Sequence, residues 1–138
     1  MTSQLNVDTI VDKAGSGGTN VKIANTSVAV AEGGSATTNT VQGLAKVWHT
    51  GSSDGTSLED SFNVTTLTDT GTGRQTLTLS NNMTNALYAV RSAIHEGQSR
   101  LTFCDNRATS SYESAVYAAN NSAYQDGNQN SVVHGDLA

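Results

Sequence analysis

Acidic residues in the middle of the chain are the first candidates for chemistry. Asp54, Glu59, Asp60 and Asp69 lie near glycine-bearing loops and turns. Cleavage of a glycosidic bond requires two carboxyl groups held across a cleft, and any two of these four would supply the residue types. Asp60 and Asp69 also suit a simpler role, because aspartate in a turn hydrogen-bonds its own backbone. We expect this turn role, no catalytic residue and no enzymatic activity, since the chain is short for a substrate groove.

The histidines, the single cysteine and the glycine-rich segments carry weaker chemical signals. His49, His95 and His134 do not stand at the spacing of metal ligands and would form a metal site only if the fold or a threefold axis brought them together, so we expect no metal ion and no cofactor. Cys104 has no disulfide partner within the chain and is expected to be a small, half-buried apolar residue. The segment "AGSGGTN" lacks the lysine and the helix of a phosphate-binding loop, so we interpret it as a turn.

Aromatic and amide side chains near the C-terminal end are candidates for contact with a receptor. The polar run "NNSAYQDGNQN" and the residues before it resemble a loop, and loops are where binding residues concentrate. Trp48, by contrast, lies in a predicted strand and is expected in the core. The candidate receptor-contact residues are Tyr112, Tyr117, Asn121, Tyr124 and Gln125.

Alternation of apolar and polar residues with a period of two predicts strands along most of the chain. The run "LEDSFNVTTLTDTGTGRQTLTLS" predicts a hairpin that turns at "DTGTG", with Phe62 and Val64 on one face and Leu77 and Leu79 on one face of the returning strand. The run "ALYAVRSAIHE" also suits a helix by composition, but its alternation favours a strand. Three further strands are predicted in "RLTFCDN", "SYESAVYAAN" and "NSVVHGDLA".

The composition limits how such a chain is stabilised. Only 36% of the 138 residues are hydrophobic and 5% are aromatic, against about 45–50% apolar residues in ordinary domains. Stability must then come from dense strand pairing or from burial between subunits. We predict an all-β protein with an N-terminal β-hairpin for assembly or attachment over residues 1–30. A Gly/Thr-rich linker over 31–40 and a jelly-roll-like β-sandwich over 41–138 would follow it.

The opening stretch "DTIVDKAGSGGTNVKI" forms two short apolar runs on either side of a glycine-rich turn. Two strands with so few apolar groups are marginal in water when isolated. The hairpin becomes stable if the same residues of other copies, or a docking partner, complete it. The predicted assembly residues are Val7, Ile10, Val11, Val21 and Ile23.

Charge excludes two classes of partner. The formal net charge is −5, from 7 basic and 12 acidic residues, and the basic residues form no run. Binding to nucleic acid or to an anionic membrane surface depends on clustered lysine and arginine. We therefore expect no binding to nucleic acid or to an anionic membrane surface. No apolar run approaches the length of a transmembrane span, so we also expect no membrane insertion.

The chain carries Ala45-Lys46-Val47-Trp48, the run Asp60–Val64, the turn Thr68–Gly73 and the run Asn85–Val90 in this order. This series resembles a module of tail-fibre proteins from marine bacteriophages, notably those that infect cyanobacteria. The module combines an Ala-Lys-Ala-Trp run, a glycine-bearing loop, an Asp-Ser-Phe-Asn-Val run, a Thr-Asp-x-Gly-Thr-Gly turn and an Asn-Ala-x-Tyr-Ala-Val run. The final Gly135–Ala138 segment and the opening repeat are also similar to such fibres. Trp48, Phe62, Val64 and Tyr88 are the core residues of the motif. The matching residues are Ala45, Lys46, Trp48, Asp60, Ser61, Phe62, Asn63, Val64, Thr68, Asp69, Gly71, Thr72, Gly73, Asn85, Ala86, Tyr88, Ala89 and Val90.

The resemblance implies a structural protein of a tailed phage particle. The expected role is a homotrimeric tail fibre, or a component associated with one, that assembles with other virion proteins and attaches to a host-surface glycan or protein. Two alternatives are kept: a decoration or head-fibre protein on the capsid surface, and a glycan-binding or glycan-cleaving module.

Overall fold

The computed structural model describes residues 27–30, 37–95 and 99–138. Every regular element in these ranges is a β-strand and every strand pairing is antiparallel, which confirms the predicted all-β class. The chain divides into two compact units, Met1–Val41 and Gln42–Ala138. The strands are β1 (Val28–Val30), β2 (Thr37–Asn39), β3 (Val47–Gly51), β4 (Leu58–Phe62), β5 (Val64–Gly71), β6 (Arg74–Leu79), β7 (Ala89–Ile94), β8 (Arg100–Asp105), β9 (Ser111–Ala118), β10 (Ala123–Tyr124) and β11 (Gln129–His134).

The described part of the first unit is a small two-stranded sheet. Strand β1 pairs with β2, and both the backbone N–H and the hydroxyl of Thr40 donate to the carbonyl oxygen of Ser27. The linker predicted over residues 31–40 thus includes a strand at its end. The predicted assembly residues Val7, Ile10, Val11, Val21 and Ile23 lie outside the described residues.

The second unit contains two sheets. The first has four strands in the order β4-β3-β11-β7, and the second is built around β9. Strands β6 and β10 pair with successive parts of β9, while β8 pairs with residues that overlap both. Since a strand offers one partner per edge at each residue, β6 and β10 share one edge of β9 and β8 takes the other. Strand β5 extends the sheet beyond β6. The jelly-roll-like connectivity stays a prediction.

Asn63 marks the point where the chain leaves one sheet and enters the other. Its φ of 60° interrupts the alternation between β4 and β5, and asparagine adopts this left-handed conformation more readily than most residues. Its side-chain amide donates to the carbonyl oxygens of Lys46 and Asn81, both at 3.1 Å. The prediction that Phe62 and Val64 share a face is therefore wrong, because Asn63 separates them into different sheets.

The inward faces of both sheets contribute to one core. Val47 and Val133 come from the four-stranded sheet, and Leu77 and Tyr112 come from the other. Leu79, Met83 and Tyr88 complete the buried apolar cluster, and Val64 packs against it. The two predicted leucines on β6 thus both face inward.

Polar side chains fill a large part of this core. His49 Nδ1 lies 2.7 Å from Ser131 Oγ, and Tyr112 Oη lies 2.5 Å from the same oxygen. A second chain of hydrogen bonds links Ser92, Ser114 and Gln129 between the sheets. Buried polar groups of this kind are tolerated because they find partners, and they explain how a chain with few apolar residues closes a core.

Two motif residues expected in the core lie outside it. Trp48 is 38% exposed and Phe62 is 52% exposed. The reason is register: Val47 and His49 take the inward positions of β3, so Trp48 between them must point outward. Phe62 is directly opposite Trp48 on the neighbouring strand and shares its outer face.

Candidate functional site

The outer face of the five-stranded sheet brings together residues that are distant in sequence. One register row aligns Arg74 of β6 with Ala115 of β9 and Phe103 of β8. The next row aligns Tyr124, Tyr117 and Leu101. Because side chains alternate across a strand, both rows point to the same face. We call the three rings of Phe103, Tyr117 and Tyr124 the aromatic cluster.

The rings of the aromatic cluster are in contact and partly exposed. The centroids of Tyr117 and Tyr124 are 5.5 Å apart with planes at 85°, and those of Phe103 and Tyr117 are 6.4 Å apart with planes at 75°. These are edge-to-face arrangements, which stabilise aromatic pairs. Phe103 is 46% exposed and Tyr124 is 40% exposed. The contacts with Tyr117 therefore hold the rings of Phe103 and Tyr124 in place, while part of each ring stays exposed and available to a ligand.

A concave pocket of about 210 Å³ lies beside the aromatic cluster. Its floor is formed at Ala115, whose small buried side chain leaves space between larger neighbours on β6 and β8. We call this space the aromatic pocket. It is lined by Arg74, Phe103, Cys104, Asp105, Glu113, Ala115 and Tyr124.

Charged groups also line the aromatic pocket, and one of them contacts the Tyr124 ring. Arg74 forms an ion pair with Glu113, and its guanidinium carbon lies 5.0 Å from the centroid of the Tyr124 ring. The other carboxylate oxygen of Glu113 accepts a hydrogen bond from the side chain of Asn106 at 3.2 Å. Asp105 is paired in register with Glu113 and adds a further carboxylate to the lining. One arginine and two carboxylates leave a net negative charge.

Gly73 fixes the position of β10 and therefore of Tyr124. It has a φ of 67°, and a Cβ atom there would lie 2.5 Å from the carbonyl oxygen of Gln125. Its backbone N–H donates to a carboxylate oxygen of Asp126 at 2.6 Å, and its carbonyl oxygen accepts from the N–H of Val116 at 2.8 Å. Only glycine permits both this conformation and this close approach.

The structure separates the predicted receptor-contact residues. Tyr112 is fully buried and bonded within the core, so its inclusion was wrong. Its place in β9 directly opposite Leu77 puts it on the inward face. Tyr117 and Tyr124 come together in the aromatic cluster. Asn121 is exposed in the turn before β10, and Gln125, half-buried after β10, donates its backbone N–H to Val116.

Sequence reasoning missed Arg74, Phe103, Asp105, Glu113 and Ala115. They come from three strands, and only the pairing of β6, β9 and β8 places them side by side. A partial signal was present, since the alternation in "RLTFCDN" places Leu101, Phe103 and Asp105 on one face. No comparable signal linked that face to Arg74.

The other chemical candidates have local roles. The carboxylate of Asp69 accepts from the N–H of Gly71 at 2.9 Å, and that of Asp60 accepts from the N–H of Ser61 at 2.8 Å. Hydrogen bonds from Ser52 and Thr56 lower the pKa of the Asp54 carboxyl.

The cysteine and the histidines do not form a reactive centre among the described residues. Cys104 is half-buried, with its sulfur 2.9 Å from Ser92 Oγ, and burial raises the pKa of its thiol. His49 is buried, whereas His95 and His134 are exposed. Within the ranges that the structure describes, no three metal-ligating side chains are grouped.

Comparison with known proteins identifies no relative: no family model, no curated protein and no solved structure matches the chain. In the described ranges, no helix has the length and apolarity to cross a bilayer.

The aromatic pocket suits a polar ring that has one apolar face. Aromatic rings offer flat apolar contact, while guanidinium and carboxylate groups hydrogen-bond hydroxyls. A pyranose sugar combines these two features. The excess negative charge disfavours acidic sugars, so the best match is a neutral one. At about 210 Å³ the pocket is smaller than the roughly 300–1,000 Å³ of typical ligand cavities, which suits one sugar unit of a longer chain.

Proposed function

We propose that this protein is a structural component of a tailed bacteriophage particle, a tail fibre or a fibre-associated protein, and that it attaches the virion to a glycan on the host surface. The second unit acts as a β-sandwich module, and the whole chain assembles as a homotrimer with other virion proteins. The observation that carries the attachment role is the aromatic pocket with its exposed cluster of rings. The tail-fibre resemblance of residues 45–90 supports the location in the virion.

The residues of the aromatic pocket support binding without catalysis. Both carboxylate oxygens of Glu113 accept hydrogen bonds, from Arg74 and from Asn106. A catalytic pair would need one carboxyl group free to transfer a proton and the other free to attack or to activate water. Glu113 is held by its neighbours instead, which suits a group that orients Arg74 beside Tyr124.

Binding to host cells tests the attachment role. Fluorescently labelled full-length protein should bind to cyanobacterial cells, and Tyr124→Ala should weaken that binding roughly tenfold, the effect of losing a central aromatic contact. Thr76→Ala is a matched control, because Thr76 lies on the same outer face, opposite Glu113 but outside the pocket lining. Equal binding by both variants and the wild type would refute a role for the aromatic pocket.

Two alternatives are separated by further measurements. Antibody labelling of virions should place the protein on the tail, and labelling of the head alone would instead favour a capsid decoration or head-fibre protein. Release of reducing sugar from host polysaccharide by the pure protein would favour a glycan-cleaving module over simple attachment.

A further inference from the structure

The outer face of the four-stranded sheet carries a row of large side chains that the aromatic pocket does not use. The register aligns Phe62 of β4, Trp48 of β3, Val132 of β11 and Arg91 of β7 across the whole sheet. Strands are about 4.8 Å apart, so this cross-sheet row is about 14 Å long. It places two partly exposed aromatic rings and a valine side by side, and a contiguous apolar patch on a surface is often a site of contact with another protein.

Charges of opposite sign flank the apolar part of the row. Asp60 lies on β4, two residues before Phe62 and on the same face, whereas Arg91 ends the row on β7 at the other edge. Both residues are exposed, and neither forms an ion pair with any residue in the described ranges. Three strand intervals separate β4 from β7, so Asp60 and Arg91 are too far apart to pair within one chain.

We infer that the cross-sheet row is the surface through which copies of this chain associate. In a cyclic assembly of identical subunits, the β4 end of the row in one copy adjoins the β7 end in the next. Asp60 of one copy then faces Arg91 of its neighbour, while Phe62, Trp48 and Val132 are covered. The row carries a negative charge at its β4 end and a positive charge at its β7 end, so it is complementary to the same row of another copy. For this reason we assign a second copy of the chain as the partner that covers it. The inference rests on one part of the proposed function, the assembly of several copies of the chain. It does not depend on the other part, the attachment to a host.

The size of the face sets the expected strength of association. Four strands of five or six residues cover roughly 300 Å², whereas a stable interface takes about 800 Å² from each partner. Association through this face is therefore expected to depend on concentration and to rely strongly on the ring of Trp48. Tryptophan and arginine are also the residue types that most often dominate such interfaces.

Sedimentation equilibrium of the full-length chain over a wide concentration range tests the inference. The wild type should associate, and Trp48→Ser should weaken association at least tenfold. Leu101→Ser is the matched control, since Leu101 is as exposed as Phe62 but lies on the other sheet; it should associate like the wild type. A monomeric wild type, or normal association of Trp48→Ser, would overturn the inference.

Charge reversal provides a second test that does not depend on the folding of a tryptophan variant. Asp60→Arg and Arg91→Asp should each weaken association, because each places like charges at the contact. The double variant should recover most of the loss, since the pair is restored between copies. A double variant no better than the single ones would overturn the inference. Neither test of association uses host cells, so failure of this inference is distinguishable from failure of the attachment role.

Discussion

His49 makes the stability of the fold depend on pH in a direction and range that the structure specifies. The imidazole is 2% exposed and lies between the two sheets. Burial lowers its pKa from 6.5 to about 4, because a charged ring would lose its hydration there. Its nitrogens already face Ser131 Oγ and the side-chain amide nitrogen of Gln75. Protonation would place a second ring N–H against the amide NH₂ of Gln75, which is itself a donor.

The sign and size of the effect follow from linkage. Below pH 6.5 the unfolded chain takes up a proton at His49, whereas the folded chain takes it up only near pH 4. The free energy of unfolding that depends on a neutral His49 ring is therefore fully present above pH 6.5 and is lost as the pH falls from 6.5 to about 4. At about 1.4 kcal/mol per pKa unit, the whole loss is about 3 kcal/mol, of which about 2 kcal/mol has occurred by pH 5.

Urea unfolding between pH 7.5 and pH 4.5 measures this loss. At fixed protein concentration, the midpoint should fall by about 1 M between pH 7.5 and pH 5, given a slope of about 1–3 kcal/mol per molar urea. His49→Gln should flatten this fall by removing the titrating ring. His134→Gln is the control, because that ring is exposed, and it should retain the full dependence.

Two results would refute this reasoning. One is an unchanged pH slope in His49→Gln, which would assign the dependence to the carboxylates. The other comes from the wild type: if the ring proton of His49 titrates near pH 6.5 in a nuclear magnetic resonance experiment, the imidazole is hydrated in the folded state. The second measurement does not require any variant to fold.

Three further substitutions test the backbone and the core. Gly73→Ala should lower the melting temperature by several degrees, because it adds a clash with the Gln125 backbone to an unfavourable φ; Gly55→Ala, at a similar φ of 71° but with its added Cβ atom 3.6 Å from Gln75 Oε1, should cost less, and equal costs would refute the close approach. Asn63→Ala should unfold about 1–2 kcal/mol more easily than Asn63→Gly in urea, because only glycine keeps the left-handed turn without strain; equal stabilities would refute that account. Tyr112→Phe should lose about 1 kcal/mol in urea through the missing hydroxyl while binding host cells normally, and weakened cell binding in a folded variant would return Tyr112 to the binding site.

Local patterns predicted the strands better than they predicted their faces. The alternation over Leu87–Ser92 correctly favoured a strand over a helix, and β7 spans Ala89–Ile94. The turn before β6 was also placed correctly, because glycines at Gly71 and Gly73 are needed for its positive φ angles. What alternation could not reveal was the break at Asn63, where one residue with positive φ moves the chain to the other sheet.

The sequence also failed to predict which residues are buried. Sequence reasoning assigns apolar residues to the core, yet His49, Gln75, Ser114 and Gln129 are buried here while Trp48 is not. Burial of these polar groups depends on hydrogen-bond partners supplied by strands far away in sequence. A single sequence does not show those partners. The aromatic pocket was missed for the same reason, because its members meet only through the pairing of three strands.

The two outer faces of the second unit suit different tasks, and their placement links those tasks. Each sheet turns its inner face to the shared core, so the cross-sheet row and the aromatic pocket point away from each other. Association through the row would then leave every pocket exposed on the outside of the assembly. If each pocket holds one sugar, as proposed, a single pocket would bind weakly, whereas several pockets on one particle would raise the effective affinity by orders of magnitude. Loss of Trp48 should accordingly weaken attachment to a cell more than it weakens binding of one isolated sugar.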